Sequence, residues 1–497
     1  MKKLSYETLK EQGYDGYLLE SAPEKVLQFG EGNFMRAFVD YFFNEMNKKA
    51  GFNGKVVLVQ PIGNGSFRLN DKINEQDGLY TLYLQGFQDG KEVREKEIMS
   101  SVSRCLNAYE DWDAVLETAS NPDLRFISCN TTEAGIHYDP SCKFEDAPAS
   151  SYPAKLTQYL YKRWQNGLPG FIILACELID DNGKELKKDV QLHAKDWNLP
   201  EEFQKWIDEE NVFCSTLVDR IVTGYPRAEA AKLTEENGYE DNVMDTGEIF
   251  GVWVIEGPQS IYDELPIKEA GLPILVTDNH KPYKERKVRI LNGAHTSMVL
   301  GAFLAGQSIV RDCMYDPTIS AYMNEAIYNE IIPTLSLPAE DCKEFAAAVT
   351  ERFKNPFIDH ALLAISLNST AKWKARVMPS LVGYVEKFGK LPKALTTSLA
   401  SYIAFYRGHE LTADGLKAIN PVTKEEYMIK DDPEVLEFYA ANAGLSNKEL
   451  VHKVLTNKDF WDRDLTEIEG LEEAVVEALD TIDQKGAMAA MEACLEK

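Results

Sequence analysis

Short apolar runs recur along the first part of the chain and alternate with segments of helical periodicity. The runs lie at 25–30, 55–60, 124–130 and 170–179. Between the first two runs, apolar side chains recur at the three- and four-residue spacing of a helix, at Phe34, Phe38, Tyr41, Phe42 and Met46. Strands that alternate with helices in this way are typical of a doubly wound, mostly parallel sheet. The pattern therefore predicts an α/β fold of the Rossmann type for the N-terminal part.

The pattern changes near residue 280. Beyond it, strand patterns vanish and apolar positions follow helical spacing, as at 323–331, 342–352, 393–406 and 471–496. We therefore predict a dinucleotide-binding Rossmann-type domain at 1–280 and a mostly α-helical substrate and catalytic domain at 281–497. The second domain would begin beside the cleft in which pockets between domains usually form. No apolar run approaches the roughly 18 residues of a transmembrane helix, and the N-terminal residues lack the apolar segment of a signal peptide. We expect a cytoplasmic protein.

A Gly-x-Gly motif, Gly30 and Gly32, directly follows the first apolar run. In dinucleotide-binding folds the first glycine permits the tight turn, and the second lets the cofactor's pyrophosphate approach the backbone. The third glycine of that motif is replaced here by Ala37, at a longer spacing. A plain strand-to-helix turn would carry the same residues, so the motif alone leaves both interpretations open. The predicted cofactor-binding residues of this turn are Phe29, Gly30, Glu31, Gly32, Asn33 and Phe34.

Three further positions are predicted to border the cofactor. Gln60 ends the second run, where an acid that binds the ribose hydroxyls is expected, and Arg68 follows it, so these residues leave NAD and NADP open. Thr132 lies in the loop after the 124–130 run, at the end where ligands of doubly wound sheets bind; turn chemistry is the alternative. Asp219 either borders the cofactor or forms a structural ion pair with Arg220.

The segment 281–298 carries the candidate catalytic residues. On an α-helix, which turns about 100° per residue, Asn292 and His295 lie about 140° and about 80° from Lys287, so an amine, an amide and an imidazole share one face. Such a trio suits proton transfer beside a carbonyl, with the lysine as acid or base and the other two groups at the oxygen. Neighbouring positive charges disfavour the ammonium form of a lysine. The alternative is a solvated basic helix start with a structural histidine.

The chain is strongly acidic, with a net charge of −27 at neutral pH. An acidic surface disfavours nucleic acid and anionic membranes as partners. Against this background, Lys372 and Arg376 are candidates to bind an acidic substrate, since they lie four residues apart on one helix face. The alternative is a basic pair that solvates a helix surface. The eight cysteines are scattered without the close spacing of a zinc site, so we expect a reducing compartment and no metal.

Several stretches together resemble the mannitol dehydrogenase family of polyol-specific long-chain dehydrogenases and reductases. They are Phe-Gly-x-Gly-x-Phe-x-Arg-Ala at 29–37, Thr-Glu-x-Gly at 132–135, Val-Asp-Arg-Ile at 218–221 and Lys-x4-Asn-x2-His at 287–295. The resemblance extends from about residue 25 to about residue 466. It implies NAD as the cofactor, Lys287 as general acid/base, and Asn292 and His295 at the reacting oxygen. It also implies a basic residue near Lys372 or Arg376 that binds the far end of the substrate.

One departure from the family narrows the expected substrate. Many members carry Ser-Cys-Asp-Asn at the end of the fourth run, and their asparagine contacts the substrate, whereas this chain has Ala-Cys-Glu-Leu at 175–178. The Cys-Glu-Leu form resembles the branch that reduces tagaturonate. We therefore expect hydride transfer from NADH to tagaturonate, giving altronate, in hexuronate catabolism. Fructuronate, mannitol and mannitol 1-phosphate are alternative substrates within the family, and a non-catalytic nucleotide-binding scaffold is an alternative of another class. The sequence leaves the oligomeric state open.

Overall fold

The computed structural model describes residues 1–63 and 68–496, which fall into two units. The first unit contains residues 1–86 and 93–280, and the second contains residues 87–92 and the chain from Lys281 onward.

The first unit is built on strands that lie between layers of helices. Its strands are β1 (Glu24–Phe29), β2 (Lys55–Gln60), β3 (Tyr80–Gln88), β4 (Lys91–Met99), β5 (Val102–Asn107), β6 (Phe126–Cys129), β7 (Ile172–Ala175), β8 (Val212–Asp219), β9 (Asp245–Glu248), β10 (Val252–Glu256) and β11 (Ile274–Thr277). Its helices are α1 (Tyr6–Glu11), α2 (Asn33–Ala37), α3 (Val39–Ala50), α4 (Leu69–Asn74), α5 (Trp112–Glu117), α6 (Tyr152–Gln165), α7 (Asn182–Asp196), α8 (Glu201–Glu210), α9 (Ala230–Asn237) and α10 (Ile261–Glu264), with a 3-10 turn at Thr118–Ser120.

The central sheet of this unit has the order β11-β10-β8-β7-β6-β1-β2-β5 in the described residues. Its neighbouring strands are parallel, except that β10 runs antiparallel to β8. A smaller sheet joins β4, β3 and β9. Because β1 lies between β2 and β6, the chain order reverses beside β1, and ligands of such sheets bind beyond the carboxyl ends of the strands at this reversal.

Alternate residues of the central strands pack on opposite faces of the sheet. In β2, Val56 and Leu58 belong to the core on one face, whereas Val57 and Val59 belong to the core on the other. A strand that is covered on both sides reads as a continuous apolar run, which is why the sequence pattern located β1, β2, β6 and β7. The predicted Rossmann-type fold is confirmed.

The second unit is mostly helical, as predicted. Its α-helices are α11 (Lys281–Arg286), α12 (Gly293–Leu304), α13 (Val310–Tyr315), α14 (Pro317–Asn324), α15 (Ala339–Phe353), α16 (Leu362–Ile365), α17 (Ser369–Arg376), α18 (Met378–Phe388), α19 (Lys393–Phe405), α20 (Pro433–Ala441), α21 (Asn447–Leu455), α22 (Lys458–Trp461), α23 (Leu471–Lys485) and α24 (Ala487–Leu495). Two segments are π-helices, π1 (Lys287–Asn292) and π2 (Glu325–Ile331), and 3-10 turns lie at Ile332–Thr334 and Leu465–Glu467.

Two expectations for this unit were wrong. Strands are present, since β12 (Glu410–Thr412), β13 (Gly415–Ile419) and β14 (Glu426–Ile429) form an antiparallel sheet whose strands are too short to give a clear alternation. The helix predicted over 471–496 is also interrupted, because Gly486 has a φ of +92° between α23 and α24, a conformation that glycine adopts without steric cost. Among the described helices, none is both long and apolar enough to cross a membrane.

Candidate active site

The turn after β1 places Gly30 where a side chain does not fit. Its φ is +122°, and a Cβ at this position would lie 2.8 Å from the carbonyl oxygen of Asn130, which directly follows β6. The Gly30 N–H donates to the carbonyl of Val59 in β2, at 3.0 Å. The glycine thus allows β1 to end closely against both neighbouring strands at the sheet reversal.

The second glycine of the motif, Gly32, faces open space. Gly32 is exposed, and apart from its own chain neighbours no atom of the described residues lies within 4 Å of the position that its Cβ would take. Asn33, at the start of α2, is also exposed. The backbone here is accessible to a pyrophosphate in the way that the motif requires.

Arg36 holds this turn from the protein interior. Its guanidinium, only 1% exposed, donates to the carbonyl of Glu31 at 3.0 Å, to the side chain of Asn33 at 2.7 Å and to the carbonyl of Val243 at 2.6 Å. Asp245 lies 3.8 Å from the same guanidinium, and burial raises the pKa of Asp245 to about 7. The sequence motif contained this arginine, but only the contacts reveal that it stabilises the turn.

The two predicted phenylalanines pack against aromatic neighbours. Phe29 is fully buried, with its ring centroid 5.1 Å from that of Tyr152, so it can meet a cofactor only through its backbone. Phe34 is half-buried and stacks on Phe38, with centroids 5.1 Å apart.

Gly30→Ala is expected to destabilise the protein by roughly 1–3 kcal/mol, because the added methyl group meets a carbonyl oxygen and the backbone is strained. Denaturant unfolding measures this loss. Gly32→Ala is the matched control, because its φ is −68° and its surroundings are open. It should change the free energy of unfolding by less than about 0.5 kcal/mol yet weaken NADH binding. Equal destabilisation by the two substitutions would contradict this account of the turn.

A buried carboxylate supports the loop after β6. Glu177, 2% exposed, accepts hydrogen bonds from the backbone N–H of Thr131 at 2.9 Å and from its hydroxyl at 3.0 Å. Burial raises the pKa of Glu177. The next residue, Thr132, is exposed with a φ of +69° and donates its N–H to the Asn130 side chain at 3.2 Å. In the sequence Glu177 is only a departure from the family pattern, whereas its contacts with Thr131 support the loop that contains the predicted cofactor residue Thr132.

Asp219 ends β8 and is buried, opposite Val252 of β10. The next residue, Arg220, donates to backbone carbonyls, to Ala37 at 2.7 Å and to Phe250 at 3.0 Å. Arg220 therefore ties the end of α2 to the segment before β10.

Gln60 and Arg68, which bear on the choice between NAD and NADP, lie at and beyond the carboxyl end of β2. Gln60 is buried there and pairs with Asn107 of β5, and among the described residues its Oε1 has no hydrogen-bond partner. Arg68 forms ion pairs with Asp71 and, at 2.7 Å, with Glu110, which lies shortly after β5. The arginine that could have bound a 2′-phosphate is thus already neutralised by two carboxylates.

The candidate catalytic segment is not the continuous α-helix that we predicted, because π1 separates α11 from α12. In a π-helix the N–H of one residue bonds to the carbonyl five residues earlier. Lys287 and Asn292 are five residues apart and form the two ends of π1, so the π turn brings them towards one face. The angle of about 140° that an α-helix imposes does not apply. Segments of π-helix frequently occur at functional sites.

His295 lies on the first turn of α12 between two rings. Its imidazole stacks on Phe353, with centroids 4.0 Å apart, and meets His360 edge-on at 5.3 Å. Burial lowers the pKa of His295 well below its usual range, and the nearby charges of Arg352 and Arg376 act in the same direction. The imidazole is therefore neutral near pH 7. Its Nε2 has no hydrogen-bond partner in the described part of the chain.

The two predicted anchor residues lie on α17, and Arg376 is the one that lies close to His295. Arg376 donates to the hydroxyl of Thr296, the neighbour of His295, at 3.5 Å, and burial lowers the pKa of Arg376. Lys372 donates to the carbonyl of Ile365 at 2.8 Å. Burial lowers the pKa of Lys372, and the charge of Arg376 lowers it further.

The backbone at the end of α17 lies close to the backbone at the start of α12. A Cβ on Gly293, the first residue of α12, would lie 3.1 Å from the carbonyl oxygen of Arg376. The second unit therefore places the imidazole of His295 near the guanidinium of Arg376, and Lys372 lies near Arg376. His360 and Phe353, which contact His295, could not be predicted, because nothing in their local sequence marks them.

Among the described residues, no group of three or more His, Cys, Asp or Glu side chains is arranged to hold a metal ion. The candidate site thus consists of an amine, an amide, a neutral imidazole and two cationic anchors. This set can transfer a proton at a substrate oxygen and bind an anionic group nearby.

The chain matches two family models that together span most of its length. The Mannitol dehydrogenase Rossmann domain matches residues 24–269, and the Mannitol dehydrogenase C-terminal domain matches residues 279–483. Altronate oxidoreductases of Escherichia coli O7:K1 (strain IAI39 / ExPEC) and Shigella flexneri are each 46% identical to it over 475 residues, which cover 93% of this chain and 95% of theirs.

Two solved structures share its fold. D-Sorbitol dehydrogenase in substrate-free form superimposes with a TM-score of 0.82 at 23% identity, covering 98% of this chain and 100% of the other. Pseudomonas fluorescens mannitol 2-dehydrogenase, in a ternary complex with NAD and D-mannitol, gives a TM-score of 0.67 at 21% identity and covers both chains completely, at 100%. The resemblance inferred from the motifs is confirmed by the family matches, which span most of the chain: it belongs to the mannitol dehydrogenase family.

Proposed function

We propose that this oxidoreductase interconverts D-tagaturonate and D-altronate with NAD(H) as cofactor. One observation carries the choice of a sugar acid: the guanidinium of Arg376 lies near the candidate catalytic residue His295, and the ammonium of Lys372 lies near Arg376 on the same helix. The altronate oxidoreductases that are 46% identical to the chain support the same choice. An uncharged polyol offers no charge to two half-buried cations, whereas a uronate offers a carboxylate.

The residues of π1 and α12 would manage the substrate oxygen. During reduction, Lys287 donates a proton to the oxygen of the keto group, and during oxidation it takes that proton back. Asn292 donates from its amide, and the neutral imidazole of His295 donates from Nε2, so both stabilise the charge that develops on the oxygen. NADH, when bound, supplies the hydride.

The first unit would bind the cofactor through the turn 29–34, with Gln60, Thr132 and Asp219 at the ends of neighbouring strands. The open space at Gly32 fits a pyrophosphate, and Arg36 holds the turn in shape. These residues fit a dinucleotide, since each lies at or just beyond the carboxyl end of a strand of the central sheet.

NADH should be preferred over NADPH, because the carboxylates of Asp71 and Glu110 surround Arg68 and repel a 2′-phosphate. The measurement is kcat/KM for both cofactors at fixed keto substrate. Glu110→Gln should raise the relative use of NADPH, whereas Glu117→Gln, an exposed change on α5, should leave the ratio unchanged. A wild-type preference for NADPH would overturn the assignment.

The substrate is tested by NADH oxidation with tagaturonate, fructuronate, fructose and fructose 6-phosphate. We expect the highest kcat/KM for tagaturonate. A preference for fructose or fructose 6-phosphate would refute the sugar-acid assignment, and a preference for fructuronate would refute only the stereochemistry. NADH binding without turnover of any of the four would favour a non-catalytic scaffold.

A further inference from the structure

His360 lies in the segment between α15 and α16, and the backbone holds it in place. Its carbonyl accepts a hydrogen bond from the Val310 N–H at 3.0 Å, and the next residue, Ala361, pairs with Ile309 in an isolated β-bridge. The side chain is half-buried. The position of the ring is therefore set by the fold of the second unit.

The ring of His360 completes a clamp on His295. Phe353 stacks on one face of the His295 imidazole, with an interplanar angle of 17°, and His360 meets the same imidazole at 87°. In the described part of the chain no hydrogen bond fixes His295 Nε2. Nε2 is the nitrogen assigned to the substrate oxygen, so the ring contacts with Phe353 and His360 can set its direction before a substrate binds.

The charges around His360 are compatible with this role. Burial lowers the pKa of His360, and the neighbouring ammonium of Lys372 lowers it further. His360 and His295 are therefore neutral together near pH 7, so the two rings pack without mutual repulsion. His360 thus contacts His295 on one element and lies near Lys372 of α17.

We propose that His360 is a positioning residue: its ring, together with Phe353, holds the His295 imidazole in the orientation that presents Nε2 to the substrate oxygen. This inference rests on the proposed role of His295. It predicts that kcat depends on the presence of a planar ring at position 360 and does not depend on the nitrogen atoms of that ring.

The test compares His360→Phe, which keeps a planar ring, with His360→Ala, which removes it. The alanine variant should have a kcat about tenfold lower than that of the wild type, because a small displacement of a catalytic group lowers the rate strongly. Its KM for NADH should change little. The phenylalanine variant should stay within about threefold of wild type. His409→Ala, at an exposed histidine of the second unit, is the matched control and should not change kcat. Equal loss in both His360 variants, or no loss in His360→Ala, would overturn the proposal.

A double-mutant cycle separates positioning from general structural support. If His360 acts through His295, then adding His360→Ala to a His295→Ala enzyme should lower kcat by no more than about twofold further. A full additional tenfold loss would mean that His360 acts independently. The assays use whichever keto substrate of the panel the wild type turns over. The result for His360 can therefore be interpreted even if the wild-type enzyme does not prefer tagaturonate.

Discussion

Lys287→Ala is expected to lower kcat by roughly 10²–10⁴-fold, which is the usual contribution of general acid–base catalysis. Lys287 begins π1, whose other end is Asn292, and the amine is the group of this segment that can carry a transferable proton near a substrate oxygen. The affinity for NADH should change little, because the residues assigned to the cofactor belong to the first unit. Steady-state kinetics and fluorescence titration with NADH measure the two quantities separately.

Two further variants sharpen this test. Lys287→Arg keeps the positive charge but holds its proton too tightly to exchange it, so it should be nearly as slow as the alanine variant. Lys343→Ala, on α15, removes an exposed lysine that pairs with Glu340 at 2.8 Å, and it should leave kcat unchanged. If Lys287→Ala kept more than about half of the wild-type kcat, the role assigned to Lys287 would be wrong.

Arg376→Met should raise KM for tagaturonate by about tenfold or more while affecting any activity on fructose very little. A charge-assisted hydrogen bond to a half-buried carboxylate is worth about 1.5–3 kcal/mol, and fructose has no carboxylate to lose. Methionine retains much of the volume of the arginine stem, so the packing of α17 against α12 should survive. The measurement is KM and kcat on both substrates.

The matched control for Arg376 lies on the same helix. Lys374 forms an ion pair with Asp462 at 2.5 Å, so Lys374→Met removes a cation of α17 that has another partner. It should alter KM for tagaturonate by less than about twofold, since exposed ion pairs contribute little. Equal losses on tagaturonate and fructose in Arg376→Met would identify Arg376 as a structural residue. In that case Lys372, the second anchor candidate, would be tested in the same way.

The sequence by itself determined the fold class, because the elements of the first unit have strong local signals. β2 is buried on both faces and reads as an unbroken apolar run, and Gly30 is required by a positive φ that other residues rarely adopt. The motifs also identified the family, since their order along the chain is more specific than any one of them. The roles of the individual site residues remain predictions that the experiments above address.

Only the tertiary structure decided how the candidate groups are arranged. The α-helical periodicity of the segment around Lys287 gave no sign of π1, because a shift from four- to five-residue hydrogen bonding is set by packing rather than by local propensity. The ring of His360 reaches His295 from a segment 65 residues later in the chain. Likewise, Arg68 is neutralised by Glu110, from a loop beyond β5. A contact between residues far apart in sequence does not change the hydrophobic periodicity of either segment. Such contacts can therefore be identified only from the tertiary structure.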